Sequence, residues 1–179
     1  MQKPPVTIQD KQFSIYIPER KILHSVEIVA ARLSHDYRGK QPLFLSVLNG
    51  SFMFASDLMK EMSIECEIAF MRLSSYADME STGQVKEIMG LKEDIRGRHV
   101  VVVEDIVDTG HTVAGLIPQL QEKGAASIEV ATLLIKPESL QHELNIKYPA
   151  MSIANDFVVG YGLDYNGLGR NLRDIYKVM

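Results

Sequence analysis

The sequence predicts an α/β fold with a mainly parallel central sheet flanked by helices, and a smaller lobe beside it. Three observations carry this. Strand and helix patterns alternate from residue 42 to 135, which requires crossover connections. Val100-Val101-Val102-Val103 lacks polar alternation, so both faces of that strand are expected to be buried, as in the middle of a parallel sheet. Ile22, Val26, Val29, Leu33 and Tyr37 recur at steps of three or four, the apolar stripe of a helix lying on a core.

The elements follow in order. A helix is expected from Glu19 to Tyr37, started after Pro18 and stopped by Gly39. Pro42 to Leu48 is an apolar run too short for a helix, ended by Asn49-Gly50, so it reads as a buried strand. A helix is expected from about Ser51 to Met62. Ile64, Cys66, Ile68 and Phe70 alternate, predicting a strand over Ile64 to Leu73. The polar stretch Ser74 to Gln84 reads as a long loop, the kind that forms lids or binding loops. His99 to Val103 is the strongest strand signal. Glu104 to Gly110 is a polar turn, and Thr112 to Lys123 a helix stopped by Gly124. Ser127 to Ile135 and Phe157 to Leu163 complete the strands. The rest of the C-terminal segment is less regular and is expected to form the smaller lobe together with the N-terminus.

Composition bounds the class. The chain has 179 residues, which favours one domain, residues 1–179. Hydrophobic residues make up 46%, too many for a disordered chain. The single cysteine, Cys66, excludes an internal disulfide and suits a reducing compartment. The net charge of −4 argues against general nucleic-acid binding, which needs a basic face. No apolar run approaches the ~18–20 residues of a membrane span. The N-terminal Met1-Gln2-Lys3-Pro4-Pro5 has no apolar signal core behind it. A cytoplasmic protein is expected, with no nucleic-acid or membrane partner.

The most informative segment is Val100 to Thr112. A buried strand delivers Glu104 and Asp105 at its C-terminal end, the edge where open α/β sheets bind ligands. Asp108-Thr109-Gly110-His111-Thr112 then opens a helix, where free N–H groups and the dipole favour an anion. Gly110 permits a close approach or a positive φ. Taken singly, Asp108 or Thr109 could be no more than a helix cap. Taken together, paired carboxylates and a phosphate cradle suit a sugar phosphate. There is no Gly-x-x-x-x-Gly-Lys-[Ser/Thr] loop and no Gly-x-Gly-x-x-Gly after the first strand.

This segment resembles the phosphoribosyl-pyrophosphate motif of type I phosphoribosyltransferases. Three further segments resemble the hypoxanthine-guanine branch. Leu48-Asn49-Gly50-Ser51-Phe52 is similar to its pyrophosphate loop. Arg72 to Tyr76 with Ser81-Thr82-Gly83 is similar to its flexible catalytic loop. Asp156 to Asn166, followed by Arg170, is similar to its purine pocket. The resemblance implies the type I phosphoribosyltransferase fold. Its core would be about residues 40–160, and its hood lobe would come from the N-terminal segment and about 150–179.

The resemblance further implies purine salvage: transfer of 5-phosphoribosyl from phosphoribosyl pyrophosphate to hypoxanthine, and to guanine as well, with Mg²⁺ as cofactor. Glu104 and Asp105 would hold the ribose hydroxyls, directly or through magnesium. Asp108 would sit near purine N7, either as general base or as stabiliser of positive charge. Asp108, Thr109, Gly110, His111 and Thr112 would cradle the 5′-phosphate, His111 standing where relatives often carry Lys or Arg. Lys136 would donate to the 6-oxo group, which disfavours adenine. Phe157 would stack on the base and Val158 offer backbone groups to its edge. Asp164 would bind magnesium and Arg170 the pyrophosphate. Asn49, Gly50, Ser75 and Tyr76 would also meet the pyrophosphate, with the loop from Ser74 to Gln84 closing over the site.

Asn49 departs from the Lys or Arg common in relatives. It keeps a donor and loses the charge. The residue in that slot takes part in an unusual cis peptide in the family, and the sequence leaves open whether Asn49-Gly50 does so. The competing classes are a nucleotide-binding regulator on the same fold and an adenine or pyrimidine enzyme. Lys136 with Phe157-Val158 opposes the latter. A homodimer or homotetramer is implied by the resemblance.

Overall fold

The computed structural model describes residues 4–74, 86–89, 91 and 93–179. The N-terminal strands β1 (Val6–Ile8) and β2 (Lys11–Ile17) lead into helix α1 (Glu19–Asp36). Then come β3 (Leu43–Leu48), α2 (Phe52–Glu61), β4 (Glu67–Ser74), β5 (Lys86–Met89) and β6 (His99–Val107). Helix α3 (His111–Glu122) is followed by β7 (Ser127–Ile135), a short 3₁₀ turn at Pro137–Ser139, β8 (Tyr148–Ser152), β9 (Val158–Val159) and β10 (Ile175–Val178).

The larger sheet runs β5-β4-β3-β6-β7-β8. Its strands from β4 to β8 pair parallel, and β5 is an antiparallel edge. The valine run lies in β6, between β3 and β7, and Val100, Val101, Val102 and Val103 are all fully buried. They divide by pleat. Val101 and Val103 face a core shared with Ile22, Leu33, Phe54 and Leu58 of α1 and α2. Val100 and Val102 face a second core shared with Val113, Leu116 and Leu120 of α3. A strand with no solvent face needs no polar alternation, which is why the sequence has none.

Helix α1 buries Ile22, Val26, Val29, Ala30, Leu33 and Ser34, matching its sequence stripe. Its N-terminus is closed from far along the chain, since the Glu19 N–H donates to Asp174 Oδ1 at 2.8 Å. Helix α3 carries Pro118 in its interior and ends before Gly124, whose φ of 83° is the left-handed geometry a helix stop uses.

A four-stranded sheet, β1-β2-β10-β9, lies apart in sequence order. It has its own small core of Ile8, Phe13, Val159 and Tyr176. Its strands β1 and β2 were not anticipated from the sequence, nor was β8. The expected strand from Phe157 to Leu163 is corrected: only Val158 and Val159 form a strand. The next three residues all take positive φ, 98° at Gly160, 49° at Tyr161 and 99° at Gly162, which no extended strand tolerates. The strand expected from Ile64 starts at Glu67, where pairing with β3 begins. The expected loop at 74–84 falls, apart from Ser74, outside the described residues.

Candidate active site

Parallel strands β3, β4 and β6 end on the same edge of the sheet. There they leave a cleft of about 300 Å³ lined by Val47, Leu48, Gly50, Leu73, Glu104, Asp105, Ile106 and Thr112. Strand β6 supplies the two carboxylates, the turn after β3 supplies Gly50, and the first turn of α3 supplies Thr112. The topology thus brings Gly50, Glu104, Asp105 and Thr112, separated by up to 62 positions, to one place.

Glu104 is buried, and desolvation together with the neighbouring Asp105 pushes its carboxyl well above the usual range. Burial also pushes Asp105 up, to about 6, against the pull of hydrogen bonds from the Ile106 N–H and its own N–H. The Arg170 guanidinium lowers it further and the Asp164 carboxylate raises it, so both groups lie within electrostatic reach of Asp105. The Ile106 N–H donates to Asp105 Oδ1 at 2.8 Å.

This has a consequence for stability. A carboxyl whose folded value lies near 6 binds more protons in the folded chain than in the unfolded one between about pH 4 and 6. Stability from this group is therefore present at low pH and is lost as pH rises through that window. In metal-free buffer, Asp105→Asn should flatten the fall in Tm across it. A Tm difference from wild type that stays constant with pH would count against this.

Gly50 sits against Asp105. A Cβ added there would overlap the Asp105 carboxylate. Gly50→Ala is expected to push that carboxylate aside while the fold persists, because the obstructed atoms are the end of a side chain. Displacements of this size cost about 100-fold in turnover efficiency. Steady-state kinetics beside a thermal melt checks it; a large Tm loss with unchanged kinetics would contradict it. The peptide bond between Leu48 and Asn49 is cis, one step earlier than Asn49-Gly50, and Asn49 itself is exposed.

Gly110 caps α3 with φ 84°, and a Cβ there would crowd Leu144 at 2.5 Å. The loop therefore needs glycine for both conformation and space. The Gln141 N–H donates to the Thr109 carbonyl at 3.0 Å, bracing the turn from behind. Thr109 and Thr112 were both expected in the phosphate cradle. The Thr109 hydroxyl is hydrogen-bonded to His111 Nδ1 at 2.6 Å, and the His111 ring stands edge-on to His142 at 4.7 Å. Thr112 remains exposed.

Lys136, at the end of β7, is buried, and its Nζ donates to Asp108 Oδ2 at 2.7 Å. The Lys136 N–H donates to the Val107 carbonyl at 3.0 Å, so strand register sets the pair. Asn155 Oδ1 lies 3.4 Å from the same Nζ. Phe157, two residues on, leaves 45% of its surface exposed while touching Phe13 and Tyr165. An exposed aromatic held in place from behind is a ready stacking surface. Val158 is buried.

In the last turn, Asp164 Oδ1 pairs with Arg170 Nη2 at 2.7 Å, and Asp164 Oδ2 accepts the Gly167 N–H at 2.6 Å. Arg170 Nη1 donates to the Gly162 carbonyl at 2.7 Å. Gly162 packs on the loop after β3, since a Cβ there would overlap the Gly50 carbonyl oxygen. Asn155 and Gly162 were not singled out from the sequence. The Gly-Tyr-Gly spacing was the available signal for the second, because paired glycines in an apolar segment mark a close approach. Ser75 and Tyr76 lie outside the described residues. Among the described residues, no group of three or more His, Cys, Asp or Glu side chains could hold a metal ion by itself. No helix among them is long and apolar enough to cross a membrane.

A parallel sheet edge bearing buried acids, beside a glycine-capped helix start, defines an α/β protein built for a phosphorylated sugar ligand. Comparison with known proteins agrees. The Phosphoribosyl transferase domain family matches residues 16–166. The hypoxanthine-guanine phosphoribosyltransferase of Streptococcus pneumoniae is 40% identical over 159 residues, covering 88% of each chain. That of Staphylococcus aureus is 40% identical over 159 residues, covering 88% of this chain and 89% of its own. The crystal structure of a hypoxanthine-guanine phosphoribosyltransferase from Bacillus anthracis superposes with TM-score 0.89 at 34% identity, covering 93% of this chain and 98% of that one. The hypoxanthine phosphoribosyl transferase of Trypanosoma cruzi gives TM-score 0.89 at 34% identity, covering 97% and 95%. The chain belongs to the phosphoribosyl transferase domain family. It is a transferase with the type I phosphoribosyltransferase fold.

Proposed function

We propose that the chain transfers the 5-phosphoribosyl group of phosphoribosyl pyrophosphate to hypoxanthine and guanine, releasing pyrophosphate. The observation that carries this is the Lys136–Asp108 pair, 2.7 Å apart, with Asn155, two residues before the exposed Phe157, 3.4 Å from the Lys136 Nζ. In a 6-oxopurine, O6 and N7 are neighbours on one edge. A cation donating to O6 and a carboxylate taking up the proton or charge at N7 match that edge. Adenine would place its 6-amino donor against the Lys136 donor. Phe157 stacks on the ring, and Val158 presents backbone groups to its far edge.

Glu104 and Asp105 take the ribose hydroxyls, and the turn from Asp108 through Thr109, Gly110 and His111 to Thr112 takes the 5′-phosphate on its N–H groups. Asn49, Gly50, Ser75, Tyr76 and Arg170 meet the pyrophosphate. For Arg170 this means exchanging its Asp164 partner for phosphate oxygens, a trade of one charge-assisted contact for another.

Mg²⁺ fits this donor set. Magnesium is held through one or two carboxylates and completes its shell from substrate oxygens and water, so no three-acid cage is needed. Glu104, Asp105 and Asp164 are the residues that would hold it. When bound, it supplies neutralisation of the pyrophosphate charge. We further read residues 1–179 as one phosphoribosyltransferase domain: the six-stranded sheet as core, about 40–160, and the four-stranded sheet as a hood from the N-terminal segment and about 150–179. The sole cysteine fits the cytoplasm, and a homodimer or homotetramer is the expected assembly.

The test offers hypoxanthine, guanine, xanthine, adenine and uracil in turn with phosphoribosyl pyrophosphate and Mg²⁺. Inosine and guanosine monophosphates are expected, with no product from adenine or uracil. Failure to form nucleotide from hypoxanthine, guanine and xanthine alike would overturn the reading.

A further inference from the structure

Two elements assigned to pyrophosphate come from distant parts of the chain. One is the loop Asn49 to Ser51, which leads directly into α2. The other is the turn holding Asp164 and Arg170. Neither is long enough to fix itself against the other. Tyr161 joins them. Its ring is buried, 3% exposed, and its hydroxyl donates to Asp57 Oδ2 in the second turn of α2 at 2.6 Å. The Tyr161 N–H donates to the Leu172 carbonyl at 2.7 Å, which ties it to the far side of the same turn. Its φ of 49° is an uncommon conformation for a bulky aromatic, and such backbone persists only where the surroundings over-determine it. The next residue is Gly162, packed on the Gly50 carbonyl and bonded to Arg170 Nη1. One short segment thus touches α2, the loop and the arginine.

We propose that Tyr161 is a positioning residue for phosphoribosyl pyrophosphate: its hydrogen bond to Asp57 holds the loop at Asn49–Ser51 in register with the Asp164–Arg170 turn. Neither side chain needs to touch substrate. Asp57 is anchored on its own helix, where Oδ1 also takes Lys60 Nζ at 2.8 Å. The inference rests on the functional reading above for what the two elements bind. It predicts an effect centred on one substrate, because Lys136 and Asp108 stand on other segments, and Phe157, four residues before Tyr161, is held separately by Phe13 and by the Val178 N–H, which donates to its carbonyl.

The test is Tyr161→Phe, which removes only the hydroxyl. The KM for phosphoribosyl pyrophosphate should rise about tenfold, the worth of one good hydrogen bond, with the KM for hypoxanthine unchanged. Asp57→Asn keeps an acceptor oxygen and should stay near wild type. Asp57→Ala should match Tyr161→Phe, and the double variant should be no worse than either single one. Equal rises in both KM values, additive effects, or a lower Tm with unchanged kinetics would overturn the proposal.

A second readout needs no turnover: the rise in Tm on adding phosphoribosyl pyrophosphate and Mg²⁺ should shrink in Tyr161→Phe. A wild type so stabilised yet unable to form nucleotide would remove the functional reading alone, and the shrunken shift would still support the coupling. A wild type not stabilised at all would overturn both.

Discussion

Asp108→Asn is expected to lower kcat by about 10²–10⁴-fold, the range for loss of a positioned acid–base group, while leaving phosphoribosyl pyrophosphate binding near wild type. Asn has almost the same volume and still offers Oδ1 to Lys136. What disappears is the negative charge. Lys136 is buried, so the substitution takes the counter-charge from a buried ammonium, but the remaining amide oxygen and Asn155 Oδ1 at 3.4 Å still accept its hydrogen bonds. The fold should therefore survive with a modest loss in Tm, far smaller in free energy than the loss in turnover. Both candidate roles, proton acceptor at N7 and stabiliser of a cationic base, depend on that charge. They separate in the solvent deuterium isotope effect on the chemical step: a general base at N7 gives one that the variant loses, and a purely electrostatic role gives none. Unchanged turnover would remove Asp108 from the chemistry.

The central sheet was legible because its signals are local. The valine run of β6 and the apolar strand β3 betray burial on both faces without knowledge of their partners. Strand β7 was read with its observed limits, and α1 to within one residue, because a continuous apolar stripe ends abruptly at Gly39. The second sheet was not legible for the opposite reason. Strand β2 pairs with β10, joining Ile17 to Ile175 across 158 positions, and neither strand has a turn signal that names its partner. Strand β8 is similar: Pro149 sits inside it, which demotes a strand when read alone, and this is tolerated at the sheet edge where β8 lies.

At the site, residue types were legible and pairings were not. The motif from Glu104 to Thr112 names acids and a phosphate loop. It does not say that Thr109 will bond His111, or that Asp164 and Arg170 will hold each other. The Lys136–Asp108 pair depends on β6 and β7 lying side by side with Val107 opposite Ile135, a register no local pattern reveals. Gly50 shows the limit most clearly. Its sequence context suggests a turn, yet it is needed because the Asp105 carboxylate occupies the space a Cβ would take.

Lys136→Met should collapse the preference for 6-oxopurines. Methionine matches lysine in length and flexibility and fills the same channel, but donates nothing. The 6-oxo group would then enter a buried site without its partner, and kcat/KM for hypoxanthine should fall by about 10²-fold or more. Adenine loses a donor–donor conflict at the same time, so its kcat/KM should hold or rise, and the ratio between the two bases carries the result. Stability separates this from simple damage. Removing one member of a buried ion pair is costly when the other is left buried. Here the remaining member is Asp108, whose side chain already reaches water at 44% exposure, so it can be solvated where it stands. Tm should thus stay close to wild type while the base ratio changes. A ratio that stays as in wild type would take Lys136 out of base recognition, and would leave its ion pair with Asp108 as a structural tie between β7 and the phosphate turn.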